Sequence, residues 1–126
     1  MPFSYRVVTD RVLARVDGAL TVDGVLSFLE TLRADKARLA GLPALVDCRG
    51  MKGTLSADEL RIIAAKVRGG TKKRSPRVRC AFLVASDLHF GLVRMFEALT
   101  DGVPLSISAF RDRVEAMKWL EHPSQG

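Results

Sequence analysis

Aromatic residues are scarce in this chain, with one Trp, one Tyr and six Phe among 126 residues. Cysteine is scarcer still, at two, so a disulfide framework is excluded and stability must come from aliphatic burial. The longest stretch without a charged residue runs only from Gly102 to Phe110, far short of the ~18 residues that a membrane-spanning helix requires. The first residues hold no basic cluster followed by an apolar run, so a cytoplasmic location is expected rather than secretion. Catalytic signatures are missing as well. The chain has no G-x-S-x-G, no phosphate-binding glycine loop and no dinucleotide fingerprint. His89 and His122 stand apart from any metal-ligand spacing or nucleophile and read as surface residues. No enzyme, metal or cofactor is expected.

What is present is an ordinary globular composition, 48% hydrophobic and 27% charged, which suits one domain over residues 1–126. The formal charge of +6 is unevenly spread. Lys66, Arg68, Lys72, Lys73, Arg74, Arg77 and Arg79 follow one another with no acid between them, and the rest of the chain holds 13 basic and 14 acidic groups. The basicity is therefore one segment, read as a solvated loop. It has no aromatic residue to stack a base, which argues against nucleic acid as a partner. An acidic protein or an anionic lipid remains open for Lys72, Lys73, Arg74, Arg77 and Arg79.

Hydrophobic periodicity gives the order ββαβαβαβα. Phe3 to Val8 and Arg11 to Asp17 read as antiparallel strands joined by Thr9-Asp10. Val22, Val25, Leu26, Leu29 and Leu32 recur at helical spacing up to about Lys36, after Thr21 as a cap. Ala44 to Cys48 is a buried strand, and Ser56-Ala57-Asp58-Glu59 is a capping box opening a second helix that Gly69-Gly70 ends. Cys80 to Ala85 is apolar at every residue, as a strand covered on both faces demands. Ser86-Asp87 opens a third helix to about Thr100, with Leu88, Leu92, Met95, Phe96 and Leu99 on its core side. Leu105 to Phe110 is a last strand, and Asp112 caps a final helix that Pro123 ends. The expectation is an α/β fold with a mostly parallel five-stranded sheet and four helices.

The segments F-G-L-V-R-M-F-E-A-L (Phe90 to Leu99) and F-R-D-R-V-E-A-M-K-W-L (Phe110 to Leu120), with Leu45-Val46-Asp47-Cys48-Arg49, resemble those of small bacterial SpoIIAA-like, or STAS-like, proteins. That resemblance implies a STAS fold related to anti-sigma-factor antagonists and, more distantly, to CRAL-TRIO lipid-binding domains. Antagonists of that kind carry a phosphorylatable Ser directly after an Asp at the third strand's end. Here Asp47 matches and Cys48 takes the place of the Ser, so the phosphoswitch is absent from that position.

Three groups of residues are candidates for function. The C-terminal edge of the parallel strands, where open α/β sheets take ligands, collects Asp47, Cys48, Arg49, Ser86, Asp87 and Arg111, a set suited to a small anionic ligand. Against this, Asp47 and Arg49 can simply pair, and Ser86-Asp87 can simply cap. Phe90, Val93, Arg94 and Glu97 fall outside the third helix's core arc and would form a docking or homodimer surface. The basic loop is the third group. Cys48 and Cys80 sit at opposite ends of parallel strands, too far apart for a disulfide. Two free thiols are expected, Cys80 in the core and Cys48 somewhat activated by Arg49. The functional expectation is a non-catalytic protein-interaction or regulatory module, acting through the third helix. A carrier of a small apolar ligand or lipid, implied by the CRAL-TRIO likeness, is the alternative. Electrostatic nucleic-acid binding comes third.

Overall fold

The computed structural model describes residues 2–70 and 77–121. Five strands, β1 (Phe3–Val8), β2 (Arg11–Ala19), β3 (Ala44–Lys52), β4 (Val78–Leu83) and β5 (Leu105–Phe110), form one sheet in the order β1-β2-β3-β4-β5. Only β1 is antiparallel to its neighbour; β2 to β5 run parallel. Three crossover connections therefore step in the same direction. Right-handed crossovers of that kind put their helices on one face, and α1 (Val22–Ala34), α3 (Ala57–Gly70) and α4 (Asp87–Leu99) do lie together there. Helix α5 (Arg113–Glu121) follows the last strand and covers the other face, against Leu45, Ala81 and Leu83.

The number of helices differs from expectation. A single turn, α2 (Lys36–Leu39), follows α1, because Ala40 N–H bonds the Lys36 carbonyl before Gly41 turns the chain at φ +78°. Strands β2 and β3 also run further than expected. Past a bulge between Arg15 and Asp17 they resume pairing through Gly50, Met51 and Lys52. Gly50 allows this: a Cβ there would collide with the Asp17 carboxylate.

The helix starts follow local chemistry. Thr21 Oγ1 accepts from Gly24 N–H at 3.0 Å, and Ser86 Oγ accepts from His89 N–H at 3.2 Å. At α3 the capping box is closed both ways: Glu59 N–H donates to Ser56 Oγ at 3.1 Å, and Ser56 N–H donates to Glu59 Oε1 at 2.9 Å. Caps of this kind contribute about 1 kcal/mol each.

The two faces of the sheet are packed differently. On the α5 side Leu45, Ala81, Leu83 and Ala116 have almost no solvent exposure. Arg79 lies on this side too, which corrects its placement in a solvated loop. It is a buried β4 residue whose Nη1 donates to the Trp119 carbonyl at 2.7 Å, with its guanidinium 4.8 Å from the Trp119 ring. On the opposite side α1 has no fully buried residue at all.

Candidate functional site

The face under α1, α3 and α4 holds a half-open apolar cavity of about 310 Å³. Its floor is the helix-facing side of the sheet, with Val12, Ala14 and Val16 from β2, Val46 and Cys48 from β3, and Phe82 from β4. The roof comes from Val25, Leu29 and Leu32 of α1 and from Leu60, Ile63 and Val67 of α3. No polar side chain is among the lining residues.

Residue sizes explain the hollow. The floor carries short side chains at Ala14, Ala44, Cys48 and Cys80, flanked by large aromatic pairs on either side. Phe3 stacks on Phe28 with centroids 5.3 Å apart, and Phe82 meets Phe96 edge-on at 6.4 Å. These pairs fill the space between β1 and α1 and between β4 and α4, while α3 packs mainly on its two neighbouring helices. Gly24 belongs to the arrangement, because a Cβ there would lie 2.8 Å from the Phe3 ring. Interiors normally pack to crystal density, so an unfilled apolar space of this size is a departure from ordinary core packing.

The residues expected at the strands' C-terminal edge are engaged with one another. Arg49 donates to Asp47 through Nε at 3.0 Å and Nη2 at 2.9 Å. Those hydrogen bonds hold the Asp47 carboxyl below the usual carboxylate range, against its partial burial. Arg111 pairs with Asp87 and lies 5.0 Å from the Phe90 ring. Ser86 caps α4. Cys48 departs from the expected activation. Burial, and then the Asp47 charge, push its thiol up to about 12, while Arg49 turns to the carboxylate.

Cys80 is pushed up to about 12 as well, by burial and then by Cys48. It is partly buried and is among the residues that line the cavity. Both cysteines are free. A disulfide-exchange reagent at pH 8 is expected to titrate neither thiol in the folded protein and both after denaturation. The same shifts set a pH dependence. Between the ordinary 9.0 and about 12 the folded state keeps protons that the unfolded state releases. The thiols' contribution to stability is thus complete below pH 9 and lost as the pH climbs toward 12. Urea midpoints measured from pH 8 to pH 11 check this; a Cys48→Ala, Cys80→Ala double variant should flatten the fall.

The proposed surface on α4 is rearranged. Val93 is buried in the core beside Val16 and Cys48, and Phe90 is half-buried under Arg111. Arg94 pairs with Glu97 at 3.4 Å. Leu88 and Met95, expected inside, are 59% and 44% exposed. The core arc is turned because α4 packs on two partners, β5 through Val93 and α3 through Leu92, Phe96 and Leu99. His89 is another correction. It is buried, and its Nε2 donates to the Gly53 carbonyl at 2.7 Å, tying α4 to the loop after β3.

Arg77 is exposed and donates to Ser106 Oγ at 3.0 Å. Lys72, Lys73, Arg74 and His122 lie outside the described residues. Among the described residues no three His, Cys, Asp or Glu side chains group as metal ligands, and no helix is long and apolar enough to cross a membrane. The residues that line the cavity escaped sequence reading, in which an apolar ligand between helices and sheet was only an implication of the CRAL-TRIO likeness. The cavity's signal was the set of short side chains at alternate strand positions, Ala14, Ala44, Cys48 and Cys80, opposite helices rich in Leu.

Comparison with solved structures places this architecture. The chain superposes on an uncharacterised protein of the DUF3478 family from Shewanella loihica, described as having a SpoIIAA-like fold. The TM-score is 0.61 at 20% identity, over 94% of this chain and 91% of that one. No family model matches the sequence, and no curated protein matches it.

Proposed function

Starting from the SpoIIAA-like fold that the chain shares with the Shewanella protein, we propose that this protein is a non-catalytic binding module for a small apolar ligand, held between the sheet and helices α1, α3 and α4. The observation that carries the reading is the cavity of about 310 Å³ with no polar side chain in its lining. A site of that character gains affinity from apolar area removed from water, at about 25 cal/mol per Å². The two thiols that line it are protonated at neutral pH, which argues for binding without covalent chemistry. A docking role through Phe90, Val93, Arg94 and Glu97 ranks lower, because Val93 is core and the other three are turned toward partners within the domain.

The test is titration with N-phenylnaphthylamine, an uncharged probe that fluoresces in apolar surroundings. Saturable binding at one probe per chain, lost in Ala14→Phe, is the expected result. Absence of saturable binding to the folded wild-type protein overturns the proposal.

A further inference from the structure

The lining of the cavity offers nothing to a polar group, so any polar end of a ligand must stand at its rim. A charge buried there would lose its water without a partner. Size restricts the ligand further. About 310 Å³ is at the low end of small-molecule sites, which run to about 1,000 Å³, and suits a single short hydrocarbon chain.

The lining includes Leu32 of α1 and Val67 of α3. Their chain neighbours Arg33 and Lys66 form a cluster with Glu30. Lys66 Nζ is 3.0 Å from Glu30 Oε1, and Arg33 Nη1 is 3.4 Å from the same oxygen. Arg33 Nη2 also donates to the Lys66 carbonyl, which fixes the guanidinium between the two helices. Gly70 leaves the space for it, since a Cβ at that position would fall on the Arg33 guanidinium. Two cations thus share one exposed carboxylate one residue along the chain from the cavity lining, and Lys66 begins the stretch to Arg79 that contains no acid. By contrast the pairs Asp47–Arg49 and Asp87–Arg111 are matched one to one.

We propose that the ligand is a single-chain acidic amphiphile, its hydrocarbon chain in the cavity and its anionic head against Arg33 and Lys66 between the ends of α1 and α3. The assignment rests on the cavity reading and adds the head-group chemistry. A planar guanidinium accepts a carboxylate or a phosphate in two-pronged fashion, and the Lys66 ammonium adds a point charge.

Displacement of N-phenylnaphthylamine by decanoic acid, decyl phosphate and decanol separates the two readings. For the wild-type protein the acid and the phosphate are expected to displace the probe at least tenfold more tightly than the alcohol, and the tighter of the two identifies the head. Arg33→Gln with Lys66→Gln should erase that advantage and leave decanol unchanged. Glu30→Gln, which removes the competing carboxylate, should strengthen acid binding severalfold, and it supplies an independent arm if the double variant does not fold. Equal affinity of acid and alcohol, or a Glu30→Gln variant that binds the acid no better, overturns the head assignment while the cavity reading stands. Failure of the probe and of all three compounds to bind overturns both.

Discussion

Replacing Ala14 with Phe is expected to raise the thermal midpoint by a few degrees, although the residue is buried on a central strand. In a core packed to normal density, inserting a large side chain costs about 1–3 kcal/mol through off-rotamer neighbours and backbone shifts. Ala14 instead faces a hollow of about 310 Å³. Filling such a space commonly stabilises by about 0.5–2 kcal/mol, because atoms on the wall regain contact partners. Phe also suits a strand better than Ala does. The sign of the change is therefore diagnostic. Thermal and urea unfolding of Ala14→Phe, with probe binding measured on the same sample, check it. A destabilisation of 1 kcal/mol or more would mean that the helix layer closes on the sheet, and the binding proposal would fall with it.

The opposite face supplies the second large effect. Leu83→Ala should cost about 2–5 kcal/mol, the range for deleting a fully buried leucine, because Leu83 is sealed among Leu45, Ala81, Ala116 and Leu120. That is a large share of the roughly 5–15 kcal/mol by which domains are stable. Leu29→Ala, on the cavity roof, should cost much less, since Leu29 already borders empty space and retains partial exposure. Urea denaturation of the two variants, with unchanged slopes, measures the contrast. Equal losses at Leu83 and Leu29 would show that the two faces are packed alike.

The succession of strands and helices along the chain was legible because it follows from alternation and helical periodicity, whereas the order of the strands within the sheet was not read from the sequence. Val12, Ala14 and Val16 alternate with exposed or half-buried residues, and the Ser56–Glu59 capping box marks the start of α3 to the residue. The side-chain environment of α4 was less legible. A single amphipathic arc assumes one packing partner, whereas α4 touches both β5 and α3 and buries Val93 and His89 while leaving Leu88 and Met95 outside. Arg79 misled for a related reason. In a run of basic residues it looks solvated, yet alternation along β4 points it inward, where the Trp119 ring and carbonyl receive it. The cavity was least legible of all. A hollow is a deficit of volume between elements distant in sequence, and no local pattern records the distance at which α1 and α3 stand from the strands.

The strictly sequential strand order has a consequence for how the chain acquires its structure. Each strand pairs with the strand before it in sequence, so the sheet can grow by accretion, one crossover at a time, as synthesis proceeds. Of the described elements α5 arrives last, and until Trp119 and Leu120 dock, the row Leu45, Ala81 and Leu83 has no cover. A nascent chain halted after β5 would thus present its best-packed face, rather than its cavity, as the adhesive surface that chaperones meet.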